Sequence, residues 1–145
     1  MEKIVFIQRM GPGLIVMVFF VALILLPVIF YLLTLQNALK EVDPSRRKVS
    51  PSNVWLLFIP LFNLIYPFIL YPKISASLKN EYAARGLDSY GDFGKGLGIT
   101  LPILCLASFI PFLGSLASLG GLVVWIIFWS KMYSYKKGLL RTPVT

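Results

Sequence analysis

Three long stretches without a charged side chain constrain the fold of this chain more than any other feature. They run from Met10 to Leu39, from Val49 to Pro72 and from Gly96 to Ser130, and they are 30, 24 and 35 residues long. A helix that crosses a bilayer needs about 20 apolar residues. The first two stretches therefore each hold one crossing, and the third holds two if the chain turns in its middle. The sequence predicts an all-α integral membrane protein.

Composition limits the chemistry that this chain carries. Charged residues make up 14% of it, against about 25% in soluble domains. Histidine is absent, the one cysteine is Cys105, and all six carboxylates lie outside the charge-free stretches. An acid–base pair, a metal site or an activated nucleophile therefore cannot be assembled within the bilayer. We predict no enzyme, with no catalytic, cofactor-binding or metal-binding residues.

The basic residues have a clear distribution along the chain. The net charge is +8, and the Lys and Arg side chains cluster at the ends of the apolar stretches. This placement favours anionic lipid headgroups as the partner of the positive charge and argues against nucleic acid.

Local signals divide the chain into helices within a single transmembrane domain, 1–145. Pro44 ends the first helix, and Ser50-Pro51 is typical of a helix start. Residues after Pro72 repeat apolar side chains with helical spacing up to Gly86, which predicts a short amphipathic helix. It is either a surface helix or a solvated extension of the second helix. The predicted bundle has four membrane helices, at about 12–42, 51–72, 96–110 and 115–136, and the surface helix at about 73–85.

The second membrane segment has two interpretations. Pro60, Pro67 and Pro72 each remove a backbone hydrogen bond, and the Asn63 amide is placed to donate to a carbonyl that they free. The segment is either one proline-kinked crossing or a re-entrant hairpin over 51–73, which leaves three crossings. With four crossings and both ends inside, 10 basic residues are inside and 4 outside; with the hairpin the numbers are 12 and 2. The positive-inside rule favours the hairpin, whereas simple crossings are commoner than re-entrant loops. Both interpretations place the C-terminus in the cytoplasm.

Three groups of residues are candidate contacts for partners, lipid or solute. The first is a polar locus in the proline-broken segment, and the second is a basic run between two prolines. The third comes from two pairs of small residues four apart, Gly114 with Ser118 and Ala117 with Gly121, which let helices approach closely. In order, the groups are Asn63 with Pro60 and Pro67; Arg46, Arg47 and Lys48; and Gly114, Ser118 and Gly121.

Several segments resemble a known group of proteins. The loop "DPSRRKVSP", the core "VWLLFIPLFN" and the closing "WIIFWSKMYSYKK" are similar to motifs of small, uncharacterised bacterial multi-pass membrane proteins. The resemblance covers residues 31–140. It implies several helices in a bacterial inner membrane, and it implies no activity.

Two functions of different classes fit these observations best, and a third, weaker class is an enzyme that acts at the lipid surface with loop residues. The leading hypothesis is a non-enzymatic accessory or scaffold subunit of a larger bacterial membrane complex, with other membrane subunits bound through the small-residue faces. The competing hypothesis is a small transporter or channel that uses the proline-broken second helix and Asn63.

Overall fold

The protein is all-helical in a computed structural model that describes residues 2–142. Five α-helices span Glu2–Lys40 (α1), Pro60–Ile65 (α2), Pro67–Ala84 (α3), Lys95–Ala107 (α4) and Gly114–Arg141 (α5), and a 3-10 helix spans Pro51–Phe58. No strand occurs among the residues described. Two helices are long and apolar enough to cross a membrane, Gly11–Lys40 and Gly114–Arg141. The all-α prediction is confirmed. By length and composition, the described residues contain two candidate spans where the sequence predicts four.

The chain divides into two compact units, Met1–Tyr31 and Leu32–Thr145. The first unit is a single helical segment. Its apolar side chains from Leu14 to Val21 are exposed, with Phe19 and Phe20 more than half accessible. Such a surface is stable only where water is replaced by an apolar medium or by a partner.

The second unit contains the buried core. Its fully buried side chains come from the end of α1 and the loop after it, from the 3-10 helix, from α3 and α5, and from the loop before α4. The largest apolar ones are Leu32, Leu35, Leu39, Leu70, Ile74, Leu78, Phe93, Phe128, Met132 and Leu139. Leucines at 32, 35 and 39 keep helical spacing, so they form one stripe along the last turns of α1.

The second charge-free stretch folds as a hairpin. The 3-10 helix ends at Phe58 because Ile59 precedes a proline and is extended, with φ −86° and ψ 117°. The short α2 then forms the tip, and α3 leads back towards the loop 41–50. The two ends of the hairpin meet where the backbone N–H of Lys48 donates to Ser77 Oγ at 2.8 Å. This arrangement corrects the prediction of one proline-kinked helix over 51–72.

The amphipathic segment predicted at about 73–85 is the second half of α3. It is therefore an extension of the preceding helix, as one of the two interpretations has it, and not a separate surface helix. Ile74, Leu78 and Glu81 are fully buried on one of its faces. Their spacing of three or four residues turns that face towards the core of the unit.

Helices α4 and α5 form a second hairpin, joined by a tight turn over 108–113. The turn requires Gly114, because a Cβ there would lie 2.6 Å from the carbonyl oxygen of Ser108. Phe112, in the turn, has a φ of 72° and is fully exposed. Close packing of α3, α4 and α5 depends on Gly98, where a Cβ would lie 2.6 Å from that of Tyr71 and 3.3 Å from the Phe128 ring.

Candidate functional site

The most distinctive polar group of the molecule is the buried carboxylate of Glu81. Its side chain is 0% exposed because it shares the inward face of α3 with Leu78. An isolated carboxylate cannot remain ionised away from water, so it needs strong hydrogen-bond donors and opposite charge.

Three donors surround this carboxylate. Arg46 Nε lies 2.8 Å from Oε2, Arg85 Nε lies 2.7 Å from Oε1, and the backbone N–H of Asp43 donates to Oε2 at 3.0 Å. Burial raises the pKa of Glu81, but these hydrogen bonds and the charge of Arg46 outweigh it and lower the pKa to about 2. The carboxylate is therefore ionised at neutral pH. We call Asp43, Arg46, Glu81 and Arg85 the Glu81 cluster.

Arg85 extends the cluster to two helix ends. Its Nη1 donates to the carbonyls of Leu139 at 2.9 Å and Thr142 at 2.7 Å, and its Nη2 donates to the carbonyl of Glu41 at 2.7 Å. The last carbonyls of a helix have no partner within it and carry partial negative charge. The Arg85 guanidinium thus donates hydrogen bonds to carbonyls at the ends of α1 and α5 while it also pairs with the Glu81 carboxylate of α3.

The basic residues of the loop 41–50, which we call loop one, mostly form contacts within the fold. Arg46 binds Glu81, and Arg47 Nη2 donates to the carbonyls of Val42 at 2.8 Å and Lys40 at 3.4 Å, where α1 ends. The Lys48 side chain is exposed. Of the three residues predicted to contact lipid or an acidic partner, two instead form contacts within the second unit. They stabilise the end of that unit that holds the Glu81 cluster, which we call the polar end.

Asn63 lies on α2 with an exposed side chain that makes no hydrogen bond with any residue from 2 to 142. The Leu56 carbonyl freed by Pro60 accepts instead from the backbone N–H of Ile59 at 3.1 Å. Pro60 and Pro67 each stand at the first position of a helix, where no donor is required. The predicted repair by the Asn63 amide is therefore not formed.

The small residues of α5 have different surroundings. Gly121 faces α4, since a Cβ there would lie 3.7 Å from Leu104 Cβ, and Ala117 is buried. Gly114 closes the turn before α5. Ser118 is exposed. The predicted small-residue face is thus divided between packing inside the hairpin and an outer surface.

Aromatic side chains pack together beside the Glu81 cluster, and the sequence indicated this only weakly. Phe93 is buried, stacks on Tyr135 with ring centroids 4.7 Å apart and contacts Tyr82 edge-on at 5.0 Å. The Tyr82 hydroxyl donates to the carbonyl of Tyr135 at 2.8 Å and lies against Gly138. These contacts join α3, the loop before α4 and α5.

Sequence reasoning also missed Glu81 as a central residue. The available signal was an acidic residue four positions before an arginine on an amphipathic helix, a spacing that brings the two side chains together. Nothing local indicated that Arg46, 35 residues away, would complete the pair.

The Glu81 cluster links three segments of the second unit. Both carboxylate oxygens of Glu81 accept hydrogen bonds, and the described residues contain no group of three or more potential metal ligands among His, Cys, Asp and Glu. No family model, curated protein or solved structure matches the chain. The resemblance to small bacterial membrane proteins therefore stays a prediction.

Proposed function

We propose that the protein is a non-enzymatic scaffold subunit of a bacterial inner-membrane complex. In this proposal α1 crosses the bilayer, and the two hairpins enter it from the cytoplasmic side and return to that side. The main observation that supports this proposal is the Glu81 cluster, which holds loop one, the end of α3 and the end of α5 together.

The distribution of charge supports this orientation. Residues 40–48, 73–95 and 131–141 carry 12 of the 14 basic residues. These segments cover most of loop one (41–50), loop two (85–94) and the end of α5, and they meet at the end of the second unit that holds the Glu81 cluster. The positive-inside rule assigns such an end to the cytoplasm. The charge distribution therefore favours a re-entrant hairpin at 51–73 over four crossings. The second re-entrant hairpin, α4 with α5, is a further part of this proposal.

The surface away from the polar end supports burial in lipid. Around the two hairpin tips, Leu61 is 79% exposed, Ile65 70%, Phe109 75% and Phe112 101%. Large apolar side chains on two adjacent tips are costly in water and favourable among acyl chains. The lengths of the helices in the second hairpin also fit. The 13 residues of α4 extend about 20 Å, less than a hydrocarbon core of about 30 Å. The charge-free part of α5, 114–130, extends about 26 Å before Lys131.

The outer face of α5 also supports the scaffold role. Ser118 is exposed beside the exposed leucines Leu119 and Leu122. The small serine permits close approach of another transmembrane helix, and the leucines provide apolar contact area. The polar groups of the Glu81 cluster are satisfied internally, which leaves the lateral faces as the surface available to a partner.

Thiol labelling tests the orientation. In a Cys105→Ala background, Ser45→Cys in loop one and Tyr90→Cys in loop two should both resist an impermeant maleimide added to spheroplasts and react after lysis. Tyr90 is 94% exposed, so protection of that position cannot be attributed to burial in the protein. Periplasmic labelling of Ser45→Cys alone would support four crossings and overturn the hairpin orientation.

Photo-crosslinking tests the scaffold role. A benzophenone amino acid at Ser118 should give one discrete adduct with a second membrane protein, whereas the same group at the buried neighbour Ala117 should not. An adduct only with lipid, or only with a second copy of this chain, would contradict a subunit role.

A further inference from the structure

A cavity of about 250 Å³ lies between α3 and the glycine-rich loop that leads into α4. Ser75 and Lys79 line it from α3, and Gly91, Asp92 and Lys95 line it from the loop and the start of α4. None of these residues belongs to the Glu81 cluster.

The cavity carries an excess of positive charge. Lys79 and Lys95 form no salt bridge with any carboxylate in the described part of the chain. Lys79 Nζ makes only a long hydrogen bond, 3.4 Å, to the carbonyl of Gly91. An ammonium group has three donors, so Lys79 retains donors for a further acceptor.

The one carboxylate in the cavity is committed to the backbone. Asp92 Oδ1 accepts from the N–H of Gly94 at 3.0 Å, and Oδ2 accepts from the N–H of Gly96 at 2.8 Å. The hydrogen bonds from Gly96 and Gly94 lower the pKa of Asp92. Its negative charge thus caps the start of α4 and leaves the two lysines unneutralised by a direct contact.

A buried hydroxyl provides the second, independent observation. Ser75 is 2% exposed, and its Oγ has no hydrogen-bond partner among residues 2–142. The neighbouring Ser77 differs, since its Oγ donates to the carbonyl of Lys73 at 2.7 Å and accepts from the N–H of Lys48. A buried hydroxyl without a partner is unfavourable, and here it lines a cavity flanked by two cations.

We propose that this cavity binds the phosphate group of an anionic phospholipid, with Ser75 Oγ as a donor and Lys79 and Lys95 as counter-charges. Phosphate presents several strong acceptor oxygens and a negative charge, which match one hydroxyl and two ammonium groups. Pro72 and Ala76 form apolar walls of the same cavity and suit the glycerol and first methylenes of a lipid. A lipid occupant rests on the proposed membrane orientation, whereas the phosphate chemistry does not.

Native mass spectrometry of the full chain in mild detergent provides the test. Dioleoyl phosphatidylglycerol is titrated against wild type, the Lys79→Gln/Lys95→Gln double variant and Ser75→Ala. The charge-matched control is Lys136→Gln/Lys137→Gln, which removes two cations from the tail. Loss of charged hydrogen bonds should weaken binding about tenfold in the Lys79/Lys95 variant and severalfold in Ser75→Ala, with the control unchanged.

The outcomes separate the competing explanations. Equal weakening in the Lys136/Lys137 control would mean that lipid is held by net charge alone, and it would overturn the site. Unchanged binding in Ser75→Ala and the Lys79/Lys95 variant would also overturn it. Circular dichroism and the thermal midpoint of each variant identify any loss that comes from misfolding, and Lys79→Arg, which keeps the charge, should then retain binding.

A second titration identifies the source of the phosphate. Inorganic phosphate should compete only weakly with phosphatidylglycerol, and phosphatidylcholine should bind less tightly than phosphatidylglycerol because its choline adds positive charge. Inorganic phosphate that binds as tightly as the lipid would overturn the lipid assignment. These measurements are made in detergent, so they are independent of the labelling experiment. A wrong orientation would change the labelling pattern, whereas an absent site would change the lipid titration.

Discussion

Arg46 and Glu81 lie 35 residues apart in the chain, and Arg46 Nε lies 2.8 Å from Glu81 Oε2. This contact joins the loop after α1 to the last turns of α3. Because Arg85 connects the same carboxylate to the end of α5, one acidic side chain holds three segments at one end of the molecule.

Replacement of Glu81 should strongly destabilise the second unit. Glu81→Gln removes the negative charge and leaves Arg46 and Arg85 without their partner, and removal of one member of a buried ion pair costs about 3–5 kcal/mol. The thermal midpoint in detergent should fall accordingly. Glu41→Gln is the control, because its carboxylate makes no hydrogen bond within the described chain, and it should change the midpoint little. Equal midpoints for wild type and Glu81→Gln would contradict a central role for the carboxylate.

Acidification should remove the same stabilisation. The pKa of Glu81 is lowered from 4.5 to about 2 in the folded protein, so the stability it contributes is complete above pH 4.5 and is lost as the pH falls towards 2. The shift corresponds to something on the order of 3 kcal/mol. Unfolding measured from about pH 7 down to about pH 3 should show the gap between wild type and Glu81→Gln becoming smaller. A gap that is constant over this range would contradict the lowered pKa.

Arg85 should protect the end of α5 from proteolysis. Arg85→Lys keeps the charge but loses the planar group that reaches Glu81, Leu139 and Glu41 together. Each hydrogen bond to a charged group is worth about 1.5–3 kcal/mol, so trypsin should cleave after Lys136 and Lys137 about tenfold faster or more. Arg47→Lys, which loses contacts only with the end of α1, should leave that rate unchanged. Equal cleavage rates for Arg85→Lys and Arg47→Lys would contradict this role of Arg85.

Gly98 should tolerate no side chain. A Cβ at this position would lie 2.6 Å from Tyr71 Cβ, so Gly98→Ala should force the packing of α3 and α4 apart at a cost of about 1–3 kcal/mol. Gly120→Ala is the matched control, since its nearest neighbour, Leu104 Cδ1, is 4.0 Å away. The control should be neutral or stabilising by up to about 1 kcal/mol, because alanine favours a helix over glycine. The thermal midpoints of the two variants are compared in one detergent. A higher midpoint for Gly98→Ala than for Gly120→Ala would contradict the close packing at Gly98.

Some elements of the fold followed from local signals. Ser50-Pro51 marks the start of the 3-10 helix, and "IPFLG" contains the turn between α4 and α5, because proline and glycine act on the backbone within a few residues. The path of the second segment did not follow in this way. Pro60 breaks the helix at Ile59, but the direction taken afterwards depends on what α3 packs against.

The candidate site, like the fold, followed only in part from local sequence signals. The pair Glu81 and Arg85 has a spacing visible in the sequence, whereas the joining of Arg46 to that pair comes from the return of α3 to loop one. The basic run 46–48 looked free for partners because the sequence does not show that carbonyls at the end of α1 and a buried carboxylate lie within reach.

By itself the sequence determined that the chain is helical and apolar, with its charges confined to short segments, because hydropathy and backbone preferences act locally. Only the tertiary structure decided which of those segments meet. Their meeting depends on a buried carboxylate that must find donors from distant parts of the chain, and no local pattern encodes the identity of those donors.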